Sequence, residues 1–307
     1  MALLAFPWDE GRDPTMARRR VRVAYQGEPG AYSEAAALRF DPEAEPLPVR
    51  TFEEVFAAVT GGQVTHGILP MENSIGGSIH HNYDLLLQHD LPIVGEVELR
   101  VEHCLLAYPG STLAGLRTIH SHPQALAQCE RFLRGLQGVD IVATYDTAGG
   151  ARLIREQALR DVGAIASRRA AEVFDLEVLR ENIEDPGVNV TRFFIISRQP
   201  VPQDEADKTT VVFALPSVPG ALFKALSVFA LRDINLTKLE SRPVRGRPWE
   251  YLFYADLAVA RHDLTCARAI VHLAEFARWT KTLGTYRAWR EPEAAAHASP
   301  AAEEPSV

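Results

Sequence analysis

Short apolar segments alternate with helical segments from residue 21 to about 199, and most strands exit into a turn carrying Ser, Thr or Gly. This alternation constrains the chain most, because strands separated by helices build a sheet with helices on its faces. VRVAY (21–25) reads as the first strand and runs into Gly27 and Gly30. A helix follows from Ser33 to Phe40. Thr51 with Glu54 makes a capping-box pattern, and Gly61 and Gly62 stop that helix. A short strand around Ile68 ends at Pro70, and residues 79–89 read as helix. Residues 93–107 read as strand broken near His103. A helix from Gln124 to Leu136, strand 139–144, helix 148–158, strand 162–166 and helix 168–174 follow, and FFIIS after Arg192 is a further strand. The expected class is α/β with a mostly parallel sheet.

The pattern changes after Pro200. VPQDEADK (201–208) is polar and contains proline, as a linker does, and the expected linker is 200–207. Strand 209–215, helix 220–231, strands 235–242 and 249–258, helix 263–278 and strand 282–287 then give βαββαβ, the ferredoxin-like order, over 208–288.

Hydrophobic residues are 47% and charged residues 23% of the 307, enough to bury full cores in about two domains. The net charge of −8 argues against broad nucleic-acid or anionic-membrane binding. No apolar run approaches the roughly 20 residues of a membrane span. Cys104, Cys129 and Cys266 are odd in number and form no CxxC pair, so small core residues in a reducing compartment are expected rather than a disulfide framework or zinc knuckle. Residues 1–20 place acids and then arginines after an apolar start, the wrong order for a secretory signal, and read as a disordered extension. Residues 291–307, rich in Ala, Pro and Glu, read as a disordered tail.

Ser33, Ser74, Ser121, Thr147 and Ser167 each lie where a strand gives way to a turn or helix. They are either helix caps or, together with helix N-termini at the carboxyl ends of strands, an anion cradle. In PMENSIGGSIH, Glu72 is a candidate acid, base or orienting group, or a surface carboxylate; Asn73 accompanies it, and Gly76 and Gly77 permit close backbone approach. Pro123 suits a first helical turn, and Gln124 after it either offers an amide donor or is solvated. In NVTRFF, the Thr191 hydroxyl is a poor acid suited to hydrogen-bonding a leaving group, and Arg192 is a fixed cation for a carboxylate. The plainer reading of that pair is a strand threonine beside a structural ion pair. GEPGAYS is no P-loop, GxGxxG is absent, and neither His80–His81 nor His120–His122 has metal-ligand partners at helical spacing.

Taken together, GEPGAYSEAAA, LPMENSIGGSI, SHPQALAQC, YDTAGGAR, AIASRRAAE and NVTRFFIIS, in this order, make residues 21–199 resemble the catalytic domain of the prephenate dehydratase family. SVPGALFKAL (217–226) and NLTKLESRP (235–243) resemble the phenylalanine-binding segments of its ACT domain. The resemblance implies two α/β lobes similar to a periplasmic binding protein, about 21–99 with 180–199 and 101–178, with substrate in the cleft. It implies decarboxylative dehydration of prephenate to phenylpyruvate without cofactor or metal, because aromatisation drives the step. Thr191 is then the key catalytic residue, with Glu72, Asn73, Gln124, Arg192 and Phe193 around it. The hydroxyls, with Gly76, become the carboxylate cradle. Phenylalanine is expected as allosteric effector at a dimer interface, held by Gly220, Ala221, Leu222, Asn235, Glu240, Ser241, Arg242 and Pro243 in a homodimer or homotetramer.

GAYSEAAA, NSIGGSIHHNYDLL and FKALSVFALRDINLTKLESRP look especially like plant arogenate dehydratases, which run the same chemistry on an amino-acid analogue. The start of the sequence reads poorly as a plastid peptide, so a cytoplasmic enzyme of bacterial type is expected, and a monofunctional one because no helical chorismate mutase segment is read before residue 20. The alternatives are an arogenate dehydratase and, from another class, a non-catalytic amino-acid-sensing or solute-binding protein.

Overall fold

The computed structural model describes residues 20–144, 146–244, 246 and 249–291; the expected extension and tail fall almost wholly outside them. In chain order the elements are β1 (Arg22–Gln26), α1 (Tyr32–Phe40), β2 (Glu45–Val49), α2 (Phe52–Thr60), β3 (His66–Asn73), β4 (Gly77–Ser78), α3 (His80–Gln88), β5 (Ile93–Arg100), β6 (Cys104–Ala107), β7 (Thr118–Ser121), α4 (Pro123–Gln128), α5 (Glu130–Arg134), β8 (Asp140–Ala143), α6 (Thr147–Gln157), β9 (Val162–Ala166), α7 (Arg168–Phe174), β10 (Glu177–Arg180) and β11 (Val190–Ser197). Then come β12 (Lys208–Ala214), α8 (Ala221–Ala230), β13 (Leu236–Pro243), β14 (Tyr251–Leu257), α9 (Leu264–Phe276) and β15 (Trp279–Tyr286).

Two sheets form two lobes. The first runs β2-β1-β3-β11-β5, with β4 on β3; the second runs β10-β6-β9-β7-β8. Both are mixed rather than mostly parallel. β1 pairs in parallel with β2 and β3, whereas β11 re-enters the first lobe antiparallel to β3 and β5. The chain crosses between lobes at residues 101–103 and 181–189. The second crossing lies later than expected, because Glu177–Arg180 pairs with β6 in the second sheet.

β2, EPLPV, escaped the sequence reading because Pro46 and Pro48 argue against a strand. It is an edge strand, where a missing N–H is tolerated. The expected helix 124–136 is two short helices broken at Cys129, which is fully buried.

The last six elements have the ferredoxin-like order, with sheet order β13-β14-β12-β15. Helices α8 and α9 bury one face around Val228, Phe229, Ala269 and Leu273. The other face lies on the first lobe in one continuous core: Tyr83 meets Tyr254 at 4.9 Å and Phe194 meets Tyr286 at 5.9 Å between ring centroids. The sheets also join edge to edge at Gly284 and Ile93. A Cβ at Gly284 would stand 2.2 Å from the Ile93 carbonyl oxygen, so glycine is what permits the join.

Candidate active site

A cavity of about 570 Å³ lies between the lobes. Five helix starts line it: Tyr32 and Ser33 of α1, Thr51 and Phe52 at α2, Ile79 and His81 at α3, His122 and Gln124 at α4, and Asp146 and Thr147 at α6. Positive dipole ends converging on one space favour an anionic ligand. Its floor holds Pro70, Asn73, Thr191 and Phe193 from the adjacent strands β3 and β11.

Strand alternation would put Asn73 and Pro70 on opposite faces. They share one because Met71 is an extra residue on β3: Arg192 pairs with Glu72, but Phe193 pairs with Pro70. The bulge turns Asn73 into the cleft and Glu72 out of it.

Asn73 Nδ2 donates to Thr191 Oγ1 at 3.0 Å and to Asn189 Oδ1 at 2.7 Å. Its orientation follows from the backbone, because Oδ1 accepts from the N–H groups of Gly76 at 2.7 Å and Ile75 at 3.1 Å. Thr191 Oγ1 is therefore an acceptor toward Asn73, and its own hydrogen is left to donate into the cavity. The Asn73 contact also stabilises negative charge on Oγ1, which strengthens that donation.

Glu72 and Arg192 are not brought to the cavity. Arg192 is buried on the back of the sheet, with Asp256 of β14 at 2.6 Å, Glu72 at 2.8 Å and Glu96 at 3.3 Å. Burial works against its charge, but Asp256 and Glu72 outweigh it and raise its pKa. Lys238 of β13 pairs with Glu72, and Lys208 with Glu96 at 2.8 Å. The two residues expected to act on substrate instead fasten the first lobe to the C-terminal unit.

Of the expected cradle, Ser33 and Thr147 line the cavity, each just inside a helix rather than capping it. Ser74 Oγ donates to the Val188 carbonyl at 2.5 Å, and fully buried Ser121 to the Ile165 carbonyl at 2.6 Å. Ser167 caps α7 and donates to the Gly30 carbonyl across the lobes at 2.6 Å. These three serve backbone, not cavity. Gly76 lies under Gln124: a Cβ there would stand 1.9 Å from Gln124 Nε2.

In the C-terminal unit, Ala221 and Leu222 line a second cavity of about 380 Å³ with Val218, Trp249, Tyr251 and Phe253. Gly220 starts α8 at φ +75°. Glu240 and Arg242 do not face this space; Glu240 accepts from Ser78 Oγ at 2.7 Å, and Arg242 pairs with Asp84 at 3.1 Å, both toward the first lobe. The Asn235 carbonyl accepts from Ala258 N at 2.9 Å, and Ser241 and Pro243 are exposed on β13.

Sequence reasoning missed Tyr32, His103, Gln128 and Asn189, which form one hydrogen-bonded chain at the cavity. Their one signal was the break in apolar character at His103. Among the described residues, no three His, Cys, Asp or Glu are grouped to hold a metal, and no helix is long and apolar enough to cross a membrane.

Comparison with known proteins agrees with this architecture. The family model for prephenate dehydratase matches residues 23–201. The relative "Arogenate dehydratase/prephenate dehydratase 2, chloroplastic" of Arabidopsis thaliana is 49% identical over 278 residues, covering 87% of this chain and 73% of its own. The prephenate dehydratase of Arthrobacter aurescens, solved in complex with L-Phe, superposes with a TM-score of 0.78 at 32% identity, over 87% of this chain and 90% of its own. A structure described as "GqqA- a novel type of quorum quenching acylases" superposes with a TM-score of 0.81 at 41% identity, over 87% and 98%. The expected cytoplasmic location is overturned: Arabidopsis relatives are named chloroplastic. The chain belongs to the prephenate dehydratase family of hydro-lyases.

Proposed function

We propose that the cleft carries out decarboxylative dehydration of prephenate, with Thr191 as donor to the departing ring hydroxyl. The orientation of Asn73 carries this reading: its donation to Thr191 Oγ1 leaves the threonine hydrogen free. In the step, the electron pair of the ring C–carboxylate bond becomes a ring π bond and CO₂ leaves. The C–O bond to the ring hydroxyl breaks with it. The leaving oxygen takes one proton, through Thr191 and ultimately from solvent, and departs as water. The helix starts at Ser33 and Thr147 suit the remaining carboxylate, and buried Phe193 packs beneath the ring. Nothing in this sequence of bonds requires an electron carrier.

Arogenate is the second reading. It is favoured by the Arabidopsis relative, whose name gives both activities, and its ring chemistry is identical. We propose further that phenylalanine binds the C-terminal ACT unit near Ala221 and Leu222, completed by a second copy of the chain, as the L-Phe complex of the Arthrobacter protein supports.

The test is product formation from prephenate and from arogenate, each with and without phenylalanine. Phenylpyruvate from prephenate, suppressed by phenylalanine, is the expected result. Phenylalanine formed mainly from arogenate changes the substrate and keeps the mechanism. Ligand-dependent thermal stabilisation without CO₂ release from either would replace the enzyme reading with a binding protein.

A further inference from the structure

We propose that His103, in its neutral form with the hydrogen on Nε2, is a positioning residue that holds Asn73 and the Thr191 hydroxyl in place through Gln128 and Asn189. The proposal rests on Thr191 acting as donor. Its argument is one of direction, because each link from the Ile75 and Gly76 N–H groups to His103 has only one way to point.

Backbone N–H groups can only donate. Those of Ile75 and Gly76 therefore fix Asn73 Oδ1 as acceptor and Nδ2 as donor, to Thr191 Oγ1 and Asn189 Oδ1. Asn189 then has Nδ2 to give, and it gives it to Gln128 Oε1 at 3.1 Å. The same Gln128 oxygen lies 2.8 Å from His103 Nε2. A carbonyl oxygen cannot donate, so Nε2 must carry the hydrogen. In a neutral imidazole that makes Nδ1 the acceptor, and Tyr32 Oη stands 2.8 Å from it. Tyr32 Oη is also 2.8 Å from the Glu102 carbonyl, so its single hydrogen has two acceptors to serve.

Burial supports the same protonation states. It lowers the pKa of His103 and raises that of Tyr32, keeping both neutral. His103 and Asn189 are each only 2% exposed, so water does not substitute freely for a lost link.

The chain also joins every part that must meet when the cleft is formed. His103 lies on the first crossing segment and Asn189 on the second; Gln128 belongs to the second lobe, Asn73 and Thr191 to the first. The His103 N–H donates to Glu184 at 2.9 Å, and its carbonyl accepts from Ile183 at 3.1 Å, which fastens the two crossings together. A shift between lobes would therefore reach the Thr191 hydroxyl through these side chains.

The experiment compares His103→Leu, His103→Gln and Tyr32→Phe in the full chain, with the ¹⁵N spectrum of His103 in the wild type. A glutamine amide can place its nitrogen where Nε2 stands, so His103→Gln keeps the donor. The expected result for His103→Leu is a kcat loss of about 10- to 100-fold with KM nearly unchanged, largely restored in His103→Gln. Tyr32→Phe, which disturbs packing least, is expected to keep the hydrogen on Nε2, because Gln128 Oε1 still requires a donor there. Equal losses in the Leu and Gln variants, a loss confined to KM, or a hydrogen moved to Nδ1 in Tyr32→Phe would each overturn the proposal. The ¹⁵N spectrum separates it from the proposed activity: a hydrogen on Nδ1 in the wild type refutes the chain whatever the protein turns over. No turnover of either substrate by the wild type, with the hydrogen on Nε2, refutes the proposed activity, and with it the role assigned to Thr191.

Discussion

Thr191 and Arg192 are consecutive residues of β11 that serve opposite faces of one sheet. Thr191 faces the cleft beside Asn73, while Arg192 lies behind it, 2.6 Å from Asp256 of the C-terminal unit. The TRF triplet therefore joins chemistry on one side to architecture on the other, and its first two members should fail in different ways when replaced.

Thr191→Val should abolish turnover and leave the fold intact. Valine keeps the shape, and Asn73 Nδ2 retains Asn189 Oδ1 and the Val190 carbonyl as acceptors. A kcat loss of about 100-fold or more is expected, the scale of losing a positioned proton donor. Thr191→Ser should keep most of the rate. Steady-state kinetics with a thermal melt check both; near-wild-type kcat in Thr191→Val would remove the hydroxyl from the mechanism.

Arg192→Met should instead destabilise. Asp256 is 2% exposed and, among the described residues, would keep the Thr210 hydroxyl, at 2.7 Å, as its one side-chain hydrogen-bond partner. Leaving a buried charge without its counter-ion costs about 3–5 kcal/mol. Denaturant unfolding measures it. Asp256→Asn in the Arg192→Met background should recover part of the loss, since the two sites share one network.

The sequence reading recovered the α/β alternation and the βαββαβ order because period-2 and period-3.6 patterns are local and most boundaries carry Gly, Pro or a cap; the two lobes came from the family resemblance. It grouped Glu72 with Asn73, and Arg192 with Thr191, because neighbours in a motif look like neighbours in a site. Alternation would separate each pair but would have put Glu72 in the cleft with Ile68 and Pro70. Only the bulge at Met71 sends Glu72 to Arg192 and Lys238, and a bulge is a property of pairing, with no composition signal of its own. Ser121 and Ser167 were legible as polar residues at strand exits, but their acceptors, the Ile165 and Gly30 carbonyls, are 44 and 137 residues away. The chain from Tyr32 to Asn189 was illegible for the same reason, since it is assembled from both lobes and both crossings.

Gly76→Ala should damage the site without damaging the fold. The new Cβ would stand 1.9 Å from Gln124 Nε2, the movable end of a side chain exposed on the cleft wall. The amide swings away and the backbone stays, so stability should change by less than about 1 kcal/mol. We expect kcat/KM to fall about 10-fold or more through the lost Gln124 position. If displacement of Gln124 is the cause, Gln124→Ala and Gly76→Ala are non-additive, and the double variant is no worse than Gln124→Ala alone. Additive losses would assign Gly76 a separate role.

His66 should govern part of the acid limb of stability. It begins β3, packs at a 58° tilt against Phe40 with ring centroids 5.4 Å apart, and meets Thr65 Oγ1 at 2.9 Å. Burial pushes its pKa down from 6.5 to about 4, against a smaller upward pull from Asp41. Between those values the unfolded chain binds the proton and the folded chain does not, so stability rises with pH across the window. It is fully present above about 6.5 and is lost progressively as pH falls toward 4. His103 and His120 are lowered by burial too and act in the same direction, so replacing His66 should flatten the limb without removing it. Urea unfolding at pH 4.5 and 7.5 should show a difference smaller by about 1–3 kcal/mol in His66→Gln than in wild type. An unchanged difference would mean that His66 titrates alike in both states.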